Sequence, residues 1–397
     1  MGVLRWRALL DRRVAASSSL KIERMDGEVL TALRLGAYQL LFLSRVPARA
    51  AIFESVELVK AARKRSAAPL VNAVLRKVGG AGAADFFSEI GGAADAEELA
   101  RSAAHPRWLV ERWVARYGLE RARGICGYDQ LVPETAIYID DGRCEDLAGV
   151  ELAPGRLLAG ARRVIGGDMT GTRAYREGRV AIQDEGSQLV ALLAGRATAN
   201  VDGVILDCCA APGSKTGLMA RRNPGAKVVA TDVHPHRARL LRMLCRATNV
   251  FVAAADARAL PFKSRFDRVL ADVPCSGTGT LGRNPEIRWR LREGDLGDLQ
   301  TRQIGILKSA LAQLAGGGRL VYSTCSLEVE ENEAVVEAAL GVEFEVVNCG
   351  GELELLRAAG EIVGGVEIGS MVEGGYLGTI PGMHGCDGFF AAVIRRR

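Results

Sequence analysis

From Val204 to the end of the chain, short apolar runs alternate with longer stretches of helical periodicity. The runs at Val204–Asp207, Lys227–Asp232, Val250–Ala254, Arg268–Asp272, Arg319–Ser323, Glu343–Val347 and Phe389–Ile394 predict strands, with helices between most of them. Alternation of this kind predicts a doubly wound α/β domain, whose ligands lie beyond the carboxyl ends of the strands. Upstream the period changes. Leu30, Leu33, Leu35, Leu40, Leu41 and Leu43, then Val56, Leu58 and Val59, then Leu70, Val71, Val74 and Leu75, recur at helical spacing, with Pro47 and Pro69 as punctuation.

The segment Met1–Arg24, with Arg5, Arg7, Arg12 and Arg13, predicts an amphipathic helix, and Gly79–Gly92 a loose connection. A second helical piece opens at His105-Pro106-Arg107-Trp108, with Trp108 and Trp113 on its packed side. Between Pro133 and Val180, apolar runs such as Ala136–Ile139 and Arg156–Leu158 predict a small α/β insert, and Gln183–Val190 begins a helix leading into the main sheet.

Composition narrows the class. No apolar run approaches the ~18 residues that a membrane-spanning helix needs. The net charge is +5, from 52 basic against 47 acidic residues, which permits a polyanionic partner without requiring one. Lys60, Arg63, Lys64, Arg65, Arg76 and Lys77 gather on two of the early helices, as either a solvated face or a phosphate-binding one does. The nine cysteines, Cys144 among them, contain no C-x-x-C pair and no neighbouring histidine set. Reduced thiols in a cytoplasmic protein without a metal site are expected, with His234 and His236 as helix-start residues.

The candidate chemistry begins where Val204–Asp207 ends. Ala211-Pro212-Gly213-Ser214 before Lys215 predicts a tight turn into a helix, a place where backbone N–H groups can approach a ligand. Neither G-x-G-x-x-G nor the phosphate loop G-x-x-x-x-G-K-[ST] is matched here. Asp232, Asp256 and Asp272 close three successive strands at the same edge. Alone each reads as a helix N-cap or surface acid; three in register predict a polar crevice. Cys275, in Asp272–Gly279, and Cys325, in Tyr322–Ser326, each follow a strand at that edge, in turns and not in apolar runs. Two such thiols facing one crevice point to covalent catalysis.

Five segments in order, D-C-C-A-A-P-G-S-K-T (207–216), D-V-P-C-S-G-T-G (272–279), N-P-E-I-R-W (284–289), S-T-C-S-L-E-V-E-E-N-E (323–333) and G-C-D-G-F-F-A-A-V-I (385–394), resemble the RsmB/Sun group of RNA (cytosine-5) methyltransferases. L-R-L-G-A-Y-Q-L-L-F-L-S-R-V-P (33–47) and L-V-N-A-V-L-R-K-V (70–78) resemble that group's NusB-like helical RNA-binding domain. The resemblance covers almost the whole chain. It implies a NusB-like domain over 1–90, a helical linker and small α/β domain over 91–195, and a Rossmann-like catalytic domain over 196–397.

It further implies S-adenosylmethionine as cofactor and 16S rRNA, not yet buried in the mature subunit, as partner. Cys209, Ala210, Ala211, Pro212, Gly213, Ser214 and Lys215 are then expected along the cofactor pocket, Asp232 at the ribose, Asp256 at the adenine and Asp272 between cofactor and target base. Cys325 is implied as nucleophile and Cys275 as the thiol that helps release the product, with Asp272 and Lys215 completing the catalytic set. DNA cytosine-5 methyltransferases instead attack with the Pro-Cys cysteine. Arg283, Arg288 and Arg290 are expected as phosphate contacts, with Trp289 stacking or packing. Two departures stand out. Ser214 replaces the second glycine of the group's A-P-G-G-K turn, and Leu4-Arg5-Trp6-Arg7 resembles an interior part of the first domain, so opening helices are expected to be missing. Similar catalytic motifs also serve tRNA cytosine-5 methyltransferases, and a non-catalytic RNA-binding assembly factor is the reading from another class.

Overall fold

The computed structural model describes residues 1–80, 86–139, 147–195, 203–263 and 265–397. The chain forms two compact units, Met1–Val132 with Gly282–Arg290, and Pro133–Leu281 with Leu291–Arg397. In the first, helices Arg7–Ser17, Gly27–Phe42, Ala48–Ala61 and Ala68–Gly80 turn apolar stripes inward: Leu9, Leu10 and Val14, then Val29 and Leu33, then Val59, then Val71, Val74, Leu75 and Val78. Helices Phe86–Gly92, Ala96–Ser102, Arg107–Tyr117 and Leu119–Gln130 follow. The loose connection expected over Gly79–Gly92 is thus corrected. Gly79 and Gly80 end one helix and Phe86–Gly92 forms another, because Phe86 and Ile90, one turn apart, bury their side chains; residues 81–85 lie outside the described residues. Trp113 is buried, and Trp108 is half-buried.

A second correction concerns the segment after the Pro-Cys turn. Arg288 is 2% exposed, and its guanidinium donates to the carbonyls of Arg5 and Asp129, each at 3.0 Å. It closes the first unit from within and is not a phosphate contact. The Trp289 indole donates to the Leu4 carbonyl at 2.8 Å beneath the Arg7 guanidinium, so of its two readings packing holds. Arg290 is exposed.

The second unit opens with four strands, β1 (Thr135–Ile139), β2 (Glu151–Pro154), β3 (Ala161–Gly166) and β4 (Val180–Ile182), in the antiparallel order β2-β3-β1-β4, with a short helix at Arg173–Arg176. The run Arg156–Leu158 is a loop. Its three backbone N–H groups donate to the buried Glu185 carboxylate at 2.8–2.9 Å, so its pairing is limited to an isolated antiparallel bridge of Leu158 with Ile362. Cys144 lies outside the described residues.

The main sheet contains, among the described residues, β5 (Val204–Asp207), β6 (Lys227–Asp232), β7 (Val250–Ala254), β8 (Phe266–Asp272), β9 (Leu314–Thr324), β10 (Phe344–Val347), β11 (Val372–Glu373), β12 (Tyr376–Thr379) and β13 (Phe389–Arg396). Their order is β11-β12-β13-β9-β8-β5-β6-β7, with β10 also on β13; β5 through β9 run parallel, and β13 runs antiparallel to β9. Consecutive residues serve opposite layers. Ile205, Val228, Leu270 and Val321 pack against helices Glu185–Gly195 and Ser214–Arg222, while Leu206, Val269, Leu320 and Tyr322 pack against helices Asp295–Ala312 and Glu333–Ala339. Covering both faces explains why these strands read as continuous apolar runs. The sheet is doubly wound about β5, with β6 and β7 on one side and β8 and β9 on the other, and that reversal sets a crevice at the carboxyl ends of β5 and β8.

Candidate active site

At the end of β5 the chain turns through Cys208–Gly213 into the helix Ser214–Arg222. Gly213 has φ +114°, a conformation that requires glycine, and a Cβ there would also push aside Leu241 Cδ1, 2.4 Å away. Ser214 already lies in the helix, so the missing second glycine leaves the turn unstrained. The turn is tied to β6, since Ala210 N–H donates to the Thr231 carbonyl and the Thr231 hydroxyl donates to the Cys208 carbonyl, both at 2.8 Å.

Asp207 is 1% exposed beneath this turn and accepts the Thr216 hydroxyl at 2.7 Å. Burial pushes its carboxyl pKa up to about 7, against the Thr216 hydrogen bond. A folded-state pKa above the unfolded one gives stability that is fully present below about pH 4 and lost as pH rises to about 7, by roughly 4 kcal/mol. Asp207→Asn keeps an acceptor for Thr216 and removes that loss. The variant is expected to gain melting temperature on the wild type between pH 4 and pH 8; a difference independent of pH would show that Asp207 is not the titrating group.

Beyond the turn lies a crevice of about 630 Å³ whose wall includes Cys209, Ala211, Asp232, Asp256, Asp272, Cys275 and Cys325. Asp232, 4% exposed, accepts the His234 N–H at 3.0 Å and lies 3.6 Å from the Arg237 guanidinium. Asp256 caps the turn Ala257–Ala259 through the Arg258 N–H at 2.9 Å, and the Arg258 side chain holds its carboxyl below the usual range. The N-cap reading of Asp256 therefore holds beside its place in the crevice wall. Pro212, Gly213 and Ser214 line a different groove, of about 420 Å³, on the far side of the turn, and Ala210 is buried. Arg237, which donates to the Ala211 carbonyl at 3.0 Å, Arg302 and Ile306 also wall the crevice, and no motif marked them in the sequence.

At the inner end, β8 and β9 lie in parallel register with Asp272 opposite Ser323, and this pairing assembles the reactive groups. The Ser323 hydroxyl donates to Asp272 Oδ1 at 2.7 Å, and Lys215 Nζ meets Asp272 Oδ2 at 2.8 Å. Burial opposes the Lys215 charge, but the charge and hydrogen bond of Asp272, with Cys325 close by, raise its pKa and keep the ammonium. Cys275 Sγ and Cys325 Sγ are 3.4 Å apart, both partly open to the crevice. Their hydrogen bond, then burial, then the charges of Cys325 and Glu331 push the Cys275 thiol well above the usual range. One sulfur thus has an ammonium among its neighbours and the other a carboxylate. That asymmetry favours a neutral thiol at Cys275.

The C-terminal segment supports this end. Gly388 N–H donates to the Gly279 carbonyl at 2.7 Å, and a Cβ on Gly279 would lie 2.2 Å from the Gly388 carbonyl oxygen. Among the described residues, no three His, Cys, Asp or Glu side chains gather as a metal site would require, and no helix is long and apolar enough to cross a membrane.

A family model described as 16S rRNA methyltransferase RsmB/F matches residues 197–395, and one described as NusB family matches residues 1–79. The "Probable ribosomal RNA small subunit methyltransferase B" of Bacillus subtilis (strain 168) is 32% identical over 400 residues, covering 95% of this chain and 85% of the relative. The "Ribosomal RNA small subunit methyltransferase B" of Pseudomonas syringae pv. tomato is 32% identical over 99% of this chain and 87% of its own. Among solved structures, the crystal structure of PH0851 is similar in fold, with TM-score 0.79, 23% identity, and coverage of 99% of this chain and 88% of that one. S-adenosylmethionine is the cofactor of this methyltransferase chemistry. The crevice fits it. Asp232 and Asp256 offer carboxylates to hydroxyl and amine donors, and the small residues Cys209 and Ala211 let backbone approach the ligand. With one family model matching residues 197–395, another residues 1–79, and relatives aligned over nearly all of the chain, the chain belongs to the RsmB/F family of 16S rRNA methyltransferases.

Proposed function

We propose that the protein methylates C5 of one cytosine in 16S rRNA through a covalent bond between Cys325 and C6 of the base, in the cytoplasm, on RNA not yet enclosed by the mature subunit. The observation that carries the reading is the pair of sulfurs 3.4 Å apart at the crevice, with Lys215 among the neighbours of one and Glu331 acting on the other. Cytosine C5 is a poor nucleophile. Addition of the Cys325 thiolate to C6 breaks the C5–C6 double bond and makes C5 electron-rich enough to take a methyl group. S-adenosylmethionine supplies that methyl group. Transfer of the C5 proton to water or another base then re-forms the C5–C6 double bond as the C6–S bond breaks and the Cys325 sulfur leaves, which the neutral Cys275 thiol assists by hydrogen bonding to it or giving it a proton. Asp272, fixed by Ser323 and Lys215, is assigned to hold the cytosine, and the base leaves its stack to reach the thiol.

Labelled S-adenosylmethionine offered with purified 16S rRNA, assembled small subunits and bulk tRNA tests this, with products mapped by bisulfite sequencing. A single 5-methylcytosine in free 16S rRNA is the expected result. Methylation of tRNA alone would move the protein to that substrate, and cofactor binding without transfer to any RNA would favour an assembly factor.

A further inference from the structure

Behind the two thiols lies a carboxylate that this chemistry does not consume. Glu331, in the turn Val329–Glu331 beyond β9, is fully buried. Its Oε1 accepts the Ser276 N–H at 2.8 Å and the Gln303 side-chain amide at 2.9 Å; its Oε2 accepts the Ser326 hydroxyl at 2.6 Å and the Ser276 hydroxyl. Ser276 follows Cys275 and Ser326 follows Cys325, so each cysteine has its next neighbour tied to the same carboxylate. Gln303 also donates to the carbonyl of Pro274, the residue before Cys275, at 2.9 Å. The turn is itself anchored, for the Tyr322 hydroxyl donates to the Glu331 carbonyl at 2.5 Å.

Burying a carboxylate is costly unless its lone pairs are filled, and the four donors here fill them with charge-assisted hydrogen bonds. An apolar residue could fill the same volume at no such cost. What it could not do is hold two separate loops to one point. A site whose two reacting groups must act on each other in sequence needs that kind of support, because small displacements of reacting atoms cost orders of magnitude in rate.

Resting on the function put forward above, we propose that Glu331 is a positioning residue of the methyl-transfer reaction: it clamps the Pro274–Ser276 and Cys325–Ser326 segments together so that the two thiols keep the spacing at which Cys275 can serve the departure of Cys325 from the base. Nothing in the position of Glu331 gives it contact with the base or the cofactor. It acts mainly through the loops, while its charge also helps keep the Cys275 thiol neutral.

The test uses the full chain, 16S rRNA and labelled S-adenosylmethionine, with rates expressed per cofactor-binding molecule so that loss of folded protein drops out. Glu331→Ala is expected to lower kcat at least about tenfold, to leave KM for S-adenosylmethionine within about twofold, and to accumulate a protein–RNA adduct on denaturing gels. Glu331→Gln still accepts the Ser276 N–H and can donate to the serine hydroxyls, and is expected to recover most of the rate. If Glu331→Ala does not fold, the double variant Ser276→Ala/Ser326→Ala cuts the hydroxyl arms of the clamp and carries the same expectation. A wild-type kcat in the tested variant, or a lowered kcat without adduct, overturns the clamp alone. Absence of methyl transfer by the wild type itself overturns the clamp together with the function on which it rests.

Discussion

Cys325→Ala is expected to lower methyl transfer to RNA by at least about 10³-fold while leaving S-adenosylmethionine affinity within about twofold of the wild type. On the function proposed above, the reason lies in the substrate. Without a sulfur on C6, C5 of cytosine stays too electron-poor to attack a methyl donor, and positioning alone does not change that. The crevice holds other sulfurs, but each is disfavoured as a substitute. Cys275 is 3.4 Å away, and although the variant removes its hydrogen bond to Cys325, burial and the Glu331 charge still push its thiol up. Burial, reinforced by the charges of Asp207 and Asp272, pushes the Cys209 thiol up in the same direction. The variant removes a small side chain at the edge of the crevice, and the Asp272–Lys215 pair that shapes the floor stays in place. Radiolabel transfer and equilibrium cofactor binding, measured on one preparation, separate the two effects. Retained transfer in Cys325→Ala, with its loss in Cys275→Ala, would reverse the roles of the two thiols.

Much of the fold is legible in the sequence itself. The parallel strands announce themselves because they are buried on both faces, so β5, β6 and β7 begin and end where the apolar runs do. The edges were harder to read. β11 and β12 are two and four residues long around Gly374-Gly375, too short for a period of two to register, and β9 starts at Leu314, ahead of its apolar run, through a glycine-rich stretch.

Within the site, residues at strand ends could be placed from the sequence because topology puts all of them at one edge. Residues that act through long-range contacts could not. Arg288 sits in a run of arginines that looks like a phosphate face and is instead a buried strut, since Arg5 and Asp129 supply carbonyls from more than 150 residues away. Glu331 is one of four acids between Glu328 and Glu333, and spacing does not say which of them turns inward. Only the pairing of β8 with β9, which brings Ser276 and Ser326 together, singles it out.

Cys275→Ala is expected to produce the opposite signature to Cys325→Ala: an RNA adduct that forms and persists. Addition of Cys325 to C6 does not need Cys275, so the first methyl group is still transferred. The step that suffers is the departure of Cys325 from C6 after the C5 proton is lost. Here the sulfur leaves as an anion in a partly buried place, and the group that lies 3.4 Å away to receive it with a proton is gone. Lys215 can still offset part of the charge, so release slows without stopping, and steady-state turnover is expected to fall by about 10²-fold, the usual scale of a lost general acid. A band of protein plus RNA on a denaturing gel, labelled from the methyl donor and chased slowly to free 5-methylcytosine RNA, is the expected observation. The double variant Cys275→Ala/Cys325→Ala supplies the control, because an adduct through Cys325 cannot form in it. If Cys275→Ala turns over at the wild-type rate with no adduct, the spacing of the two sulfurs is a matter of packing, and product release belongs to some other group in the crevice.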